Sequence, residues 1–203
     1  MRLVKNLCRI IVGIVFIYSG FVKGIDPLGS DYKFTDYFNA FGMGWMNATT
    51  LFFSFALSLA EFLIGIALLF NLWVSRMAWG SLLFMFFFTP LTLVSALTNP
   101  VSDCGCFGDA TLLTNWQTFW KNIILLLLAI MIFVYRKEYK SSLPLVGQFS
   151  FLALAGAGML CLSVYCYRHL PVLDFRPYAV GKNITEGMRL PEGTEPDQYE
   201  VTL

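Results

Sequence analysis

The feature that most constrains this chain is a series of five apolar segments, each about 20 residues long. A helix of about 20 residues crosses the hydrocarbon core of a bilayer, which is about 30 Å thick. In lipid each segment must be a helix, because an open strand would leave its backbone polar groups without hydrogen-bond partners. The predicted spans are Leu3–Val22, Thr49–Leu69, Met77–Ala96, Trp116–Tyr135 and Leu145–Tyr167.

The composition agrees with an all-α integral membrane protein. Of the 203 residues, 57% are hydrophobic and 13% are charged, whereas a soluble domain carries about 25% charged residues. We predict a four-helix transmembrane bundle in residues 1–140, a fifth transmembrane helix in 141–168 and a short tail in 169–203. The first span lacks a clear cleavage site and is interpreted as an uncleaved helix. Net charge is +1 and no basic face is left, so we expect no nucleic-acid partner.

The basic residues predict the orientation. With a cytoplasmic N-terminus, seven of the 14 basic residues fall in short loops on the cytoplasmic side, where the positive-inside rule is most reliable. The residues concerned are Arg2, Lys5, Arg9, Arg76, Arg136, Lys137 and Lys140. This orientation places the tail and the two longer loops, 24–47 and 98–115, outside the cytoplasm. In a bacterium that side is the periplasm, where disulfide chemistry is possible.

The loop 98–115 carries Cys104, Gly105 and Cys106. Two thiols at this spacing can join each other, exchange with a third thiol or share a metal. A Cys-x-Cys disulfide closes a small ring, so it should be strained and easily reduced, which is typical of a catalytic bridge. A zinc site with Asp103 or His169 is the weakest alternative, because the chain has one histidine and no second cysteine pair at ligand spacing. We therefore expect no metal.

The loop 24–47 is rich in aromatic residues. Asp26-Pro27 and Gly29-Ser30 predict a turn at its start. Aromatic residues then recur at helical spacing over residues 33–41, which indicates a short helix lying in the membrane interface. The loop is either an aromatic belt or a lid over a hydrophobic ligand site. In the second case Trp45 is a candidate ligand-binding residue.

Two polar residues within the spans are candidate site residues. Glu61 lies near the middle of the second span, where a carboxyl must face the bundle and be paired or protonated. It is either a structural hydrogen-bonding group or a functional one, as a proton acceptor or as a partner of a quinone ring. Lys121 follows a capping box, Thr114 to Gln117, that opens the fourth span. Its ammonium either lowers the pKa of a nearby cysteine or snorkels outward. Asn122 is a second polar candidate on that helix.

Three further cysteines are less informative. Cys161 and Cys166 lie in the fifth span, on different faces and about 8 Å apart, so they should not bridge each other. Either could meet the loop pair, although a buried cysteine is often just a small apolar residue. Cys8 lies near the cytoplasmic end and is expected to be inert.

The chain resembles the DoxX/MauE group of membrane proteins, which is similar in architecture to vitamin K epoxide reductase. The resemblance covers roughly residues 7–135. The matching motifs are Arg9–Gly13 through Tyr18–Lys23, Asp26-Pro27, Glu61 with Gly65, and Cys104–Asp109. One difference from the group lies in the cysteines. No span of this chain carries the Cys-x-x-Cys pair that is found in the enzymes similar to vitamin K epoxide reductase. The fifth span and the tail lie outside it.

The resemblance implies a bundle in a bacterial inner membrane with its active face toward the periplasm. It further implies a link to disulfide formation or reduction in exported proteins, with a quinone as the cofactor. Cys104 and Cys106 match the redox pair, and Glu61 and Lys23 match polar positions of the bundle.

Two functional interpretations remain. In the first, the protein is a thiol–disulfide oxidoreductase that passes electrons between a periplasmic thioredoxin-like or exported cysteine-containing protein and a membrane quinone. Cys104 and Cys106 exchange, Lys121 stabilises a thiolate and Glu61 handles a proton, while Glu61, Lys23 and Trp45 contact the quinone. In the second, the protein is a non-catalytic subunit or assembly partner of an envelope complex, and the Cys104–Cys106 bridge is a structural staple.

Overall fold

The computed structural model describes residues 2–99, 105–111, 113–141, 143–173 and 175. In this part of the chain all regular secondary structure is helical. The α-helices are α1 Arg2–Ile25, α2 Pro27–Ala40, α3 Thr50–Leu69, α4 Val74–Thr98, α5 Asn115–Val134 and α6 Leu145–Arg168. Short 3-10 helices cover Gly44–Thr49 and Gly108–Ala110.

Five of these helices, α1 and α3 to α6, are long and apolar enough to cross a membrane. They coincide with the five predicted spans, and each boundary agrees to within three residues. The prediction of an all-α, multi-pass membrane protein is therefore confirmed. The predicted capping box of α5 is also present, because the Thr114 hydroxyl and the Gln117 side chain each accept from the other residue's backbone N–H.

The predicted turn at Asp26-Pro27 and Gly29-Ser30 is wrong, because the structure begins α2 there. The Asp26 side chain accepts a hydrogen bond from the backbone nitrogen of Gly29 at 3.0 Å, and Pro27 occupies the first helical position. Aspartate and proline suit a helix N-terminus as well as a turn, so local residue types did not distinguish the two. The short helix expected at residues 33–41 is the second half of α2.

The bundle is built from two helix pairs, α1 with α3 and α4 with α5, joined by contacts of α1 with α5 and of α3 with α4. A buried apolar cluster connects all four helices; its members are Cys8, Val12, Phe16, Leu68, Val74, Ala78, Met85, Leu125, Ala129 and Ile132. Helix α6 packs outside this bundle, against α3 and α1. We call the end that carries α2 and residues 105–111 the Cys106 end, and the opposite end the Arg9 end.

At the Arg9 end a buried guanidinium closes α3. Nη1 of Arg9 donates to the backbone carbonyl of Leu68 and, at 3.0 Å, to that of Leu69. The last carbonyls of a helix lack partners within the helix and carry a partial negative charge, so a cation stabilises them. Arg9 thereby ties the first turns of α1 to the last turn of α3.

Glycine allows α1 and α3 to approach closely. A methyl group on Gly20 would lie 2.6 Å from the backbone nitrogen of Phe62, and one on Gly65 would lie 2.5 Å from that of Ile17. Small residues at a helix interface allow the backbones of membrane helices to pack against each other. The sequence did not indicate this interface, because the glycines that form it lie on two different helices.

We expect Gly20→Ala and Gly65→Ala to destabilise the protein by about 1–3 kcal/mol each, because the neighbouring backbone cannot move away as a flexible side chain would. Gly158→Ala on α6 is the matched control, since a methyl group there meets no atom within 4 Å. Thermal unfolding in detergent, followed by circular dichroism, measures the difference. Equal melting temperatures for all three variants would contradict the close α1–α3 contact.

Candidate functional site

A buried ion pair joins α1 and α3. The Lys23 ammonium lies in the last turn of α1, at 2.7 Å from Oε1 of Glu61 near the middle of α3. The Glu61 residue is 3% exposed and Lys23 is 9% exposed. Glu61 was expected to face the bundle and to be either paired or protonated. It faces the bundle and is paired with Lys23. The family resemblance had matched Lys23, like Glu61, to a polar position of the bundle.

Ser19 links this ion pair to the cysteine loop. Its hydroxyl oxygen lies 2.8 Å from Oε2 of Glu61 and 2.8 Å from the backbone carbonyl oxygen of Cys106. A serine hydroxyl has one hydrogen to donate, yet both of these oxygens are acceptors when Glu61 is ionised. Ser19 could not be selected from local sequence, because serine is common in membrane helices and its second partner is 87 residues away.

The ion pair borders a cavity of about 400 Å³, a size that accommodates a small organic ligand. Helices α1 to α5 and residues 105–107 enclose it. Its polar lining groups belong to Ser19, Lys23, Ser30, Lys33, Tyr37, Glu61, Thr92, Lys121 and Asn122, together with the Cys106 loop. The remaining wall is apolar and largely aromatic, with Phe16, Phe34, Phe38, Phe53, Phe84, Phe87 and Phe88 among its members.

Helix α2 and the segment after it cover the cavity at the Cys106 end. Phe34, Tyr37 and Phe38 of α2 line it, and the Phe38 ring meets Phe53 of α3 edge to face with centroids 6.0 Å apart. This geometry matches the lid interpretation of the aromatic loop. Trp45 does not take part, because it is 81% exposed and is not among the lining residues.

Lys121 faces the cavity. Its ammonium lies 4.1 Å from the centroid of the Phe107 ring, so a cation–π contact holds it beside the cysteine loop. The adjacent Asn122 is buried and donates to the hydroxyl of Thr92 on α4 at 3.2 Å. The structure thus brings Lys121 toward the loop, as the thiolate interpretation requires.

A second lysine, which the sequence analysis did not single out, also packs against the loop. A methyl group on Gly105 would lie 3.1 Å from Cγ of Lys33 on α2. Gly105 also has φ +58°, a left-handed conformation that glycine adopts without strain. The residue between the two cysteines therefore needs to be glycine both for its backbone conformation and for the close passage of Lys33.

The structure separates the cysteines into two groups. Cys106 is half-buried and lines the cavity, while Cys104 and Asp103 lie outside the described residues. Cys161 is exposed and Cys166 is buried, so they occupy different faces of α6 as expected, and neither lines the cavity. Cys8 is buried in the apolar cluster near the Arg9 end.

His169, the other residue of the metal hypothesis, is stacked on Tyr165 with ring centroids 4.6 Å apart. Within the described residues, no group of three histidine, cysteine, aspartate or glutamate side chains is arranged to hold a metal ion.

Comparison with known proteins gives one family. The model of methylamine utilisation protein MauE matches residues 1–135, which is about two thirds of the chain and ends just after α5. Searches of curated proteins and of solved structures gave no match. The match contains every residue that lines the cavity and leaves α6 and the tail outside. This multi-pass membrane protein therefore belongs to the MauE family.

Proposed function

We propose that this protein is a membrane thiol–disulfide oxidoreductase in which the Cys104–Cys106 pair exchanges electrons between exported thiol proteins and a membrane quinone. The observation that carries the proposal is the position of Cys106. It lines an apolar cavity whose wall contains a buried ion pair, and one serine hydroxyl reaches both that pair and the Cys106 carbonyl. A nucleophile and buried charged groups beside a preformed pocket are typical of a functional site.

The size and the lining of the cavity support a quinone ring as its ligand. Its volume of about 400 Å³ and its aromatic wall suit a flat, apolar ring, and Lys23 and Lys121 offer N–H donors to ring oxygens. A quinone, when bound, supplies an acceptor for two electrons and two protons. The chain must then provide the thiols, a route for the protons and an exclusion of water from the buried end of the site.

The proposed exchange moves two electrons and two protons. Cys104 and Cys106 as thiols lose two electrons and two protons and form one S–S bond, and the acceptor gains both electrons and both protons. On the other side of the cycle, a thiolate of the partner protein attacks the disulfide, forms a mixed disulfide and releases one thiolate of the pair. A second thiolate of the partner then attacks the mixed disulfide, which leaves the partner oxidised and the pair reduced. Lys121 stabilises the thiolate form by its positive charge.

Ser19 couples the proton on Glu61 to the cysteine loop. When Glu61 is ionised, the Ser19 hydrogen has two competing acceptors, the carboxylate and the Cys106 carbonyl. When Glu61 takes up a proton, the carboxylic acid donates to Ser19, and Ser19 donates to the Cys106 carbonyl without competition. In the proposed cycle, a proton on Glu61 would thus leave the Ser19 hydrogen to the Cys106 carbonyl alone.

The partner and the location follow from the same proposal. The basic residues of the Arg9 end favour a cytoplasmic position for that end. In a bacterial inner membrane the Cys106 end then faces the periplasm. Partners are then thioredoxin-like or other exported cysteine-containing proteins. The name of the family model refers to methylamine utilisation, so maturation of an exported methylamine-utilisation protein is one setting for this exchange.

We expect the Cys104–Cys106 pair to titrate reversibly between roughly −120 and −270 mV, the range of known exchange catalysts. The measurement is thiol trapping in poised glutathione or dithiothreitol buffers, on a variant with Cys8→Ala, Cys161→Ser and Cys166→Ala. Adding Cys106→Ser to this variant should abolish the titration. A potential below about −300 mV would mark a structural disulfide and favour the alternative function, a non-catalytic subunit or assembly partner of an envelope complex.

We expect Glu61→Gln to weaken quinone binding by about tenfold or more, because the Lys23 ammonium loses the carboxylate that holds it in place for a charge-assisted hydrogen bond to a ring oxygen, and such a bond contributes about 1.5–3 kcal/mol. Glu138→Gln is the control, since it removes the carboxylate of the exposed pair with Lys5. Binding to protein in lipid nanodiscs is measured with a ubiquinone and a menaquinone analogue.

Ser19→Ala provides an independent test, because it leaves no buried charge unpaired. It should retain the fold and shift the potential of the cysteine pair, since the loop loses its hydrogen bond to α1. Unchanged quinone affinity in Glu61→Gln together with an unchanged potential in Ser19→Ala would contradict the proposed roles of both residues.

A further inference from the structure

We propose that the cavity opens sideways into the bilayer between α4 and the segment Phe41–Met46, and that this opening holds the apolar tail of the membrane quinone. The inference rests on the proposed function and adds the class of quinone and its route of entry. The ligand is a lipid-soluble quinone with a long tail that enters from the membrane.

The exposure of the lining residues locates the opening. Most of them are buried or half-buried, but Phe87 of α4 is 64% exposed and Phe41, just after α2, is 39% exposed. A side chain that both lines a cavity and lies on the surface marks the place where the cavity reaches that surface. In the described residues these two rings are the exposed members of the lining, so the opening lies between them.

The depth of Phe87 shows what this surface faces. Phe87 lies near the middle of the 25-residue α4, about 16 Å from its C-terminal end. At this depth a membrane-spanning helix is surrounded by acyl chains, because the hydrocarbon core is about 30 Å thick. The exposed ring of Phe87 therefore contacts lipid, and the opening beside it leads into the bilayer core.

The packing of the helices leaves this gap. Helix α4 packs against α5 and α3, whereas among the described residues its backbone makes no contact with α2 or with the 3-10 helix Gly44–Thr49. The cavity lining on these elements is mainly apolar and includes Phe53 and Leu57 on α3, Phe84 and Leu91 on α4, and Met43 and Met46 in the segment after α2. Tyr37, whose ring stacks on that of Phe41, also lines the cavity, so a bound apolar chain would contact mainly apolar groups beside one phenol.

The cavity therefore has two chemically different sides. The inner wall carries Ser19, Lys23 and Glu61, all buried, and the outer side is the apolar opening at Phe87. A ligand that satisfies both has a polar ring and an apolar chain, with the ring inward and the chain outward. At the Cys106 end, α2 and Cys106 cover the ring site, and among the described residues Phe41 is the exposed lining residue next to that cover.

Photo-crosslinking tests the position of the tail. The protein in lipid nanodiscs is illuminated with two quinone probes, one bearing a diazirine at the far end of an alkyl tail and one bearing it on the ring, and the labelled peptides are mapped. The tail probe should label residues 41–46 and 84–91. The ring probe should label peptides that contain Ser19, Lys23 or Glu61. Excess unlabelled long-tailed quinone should remove most of both labels.

A matched pair of variants makes the test specific. Phe87→Gln puts a polar group in the opening and should lower tail labelling several-fold. Phe86→Gln should leave it unchanged, because Phe86 is similarly exposed, at 70%, but is not among the lining residues. Both variants place a glutamine side chain at an exposed position in the lipid and have the same energetic cost. A general loss of folding would therefore affect both variants.

The remaining outcomes separate this inference from the proposed function. Competed labelling by the ring probe, with tail labels spread over all lipid-facing helices, would overturn the lateral opening and leave the quinone site intact. Equal competed labelling of residues 41–46 and 84–91 by a photoreactive phospholipid would make the opening a lipid site and overturn the inference. No competed labelling by either probe would overturn the quinone proposal itself.

Discussion

The ion pair between Lys23 and Glu61 is the interaction on which the rest of the structure depends. Either charge alone would be costly within a membrane span, and removing one partner of a buried pair typically costs about 3–5 kcal/mol. The pair forms only where α1 and α3 lie close together and in one register. Gly20 and Gly65 permit that approach, and Arg9 closes the other end of the same helix pair. Contacts at several points along the two helices therefore specify the register of α1 against α3.

The same register creates the candidate site. Once Lys23 and Glu61 are paired, Ser19 lies one turn away on α1 and reaches the Cys106 carbonyl. The two helix pairs then diverge enough to leave a cavity, which α2 covers from the Cys106 end. Polar groups collect on the inner wall because only there can they find partners, and apolar rings face the lipid because no partner is available there. This separation is what a ligand with a polar ring and an apolar chain requires.

Much of the fold could be predicted from local sequence. Apolar length predicts the spans, and the capping box of Thr114 and Gln117 predicts the start of α5, because both signals depend on neighbouring residues alone. Local signals were less reliable at Asp26-Pro27, which suits both a turn and a helix start. Local signals also did not indicate whether the Trp45 side chain is buried or exposed, because an aromatic residue in an interfacial loop can face the lipid, the water or the cavity.

The same distinction between local and long-range signals applies to the candidate site. Local sequence was enough to predict that the protein is a helical membrane protein, that Glu61 needs a partner, and that Cys104 and Cys106 share one loop. The packing of the helices was needed to show that the partner is Lys23, that Ser19 connects the pair to the loop, and that Lys33 passes over Gly105. The reason is physical: the cost of a buried charge depends on the residue and its depth, whereas the identity of its partner depends on how helices distant in sequence pack.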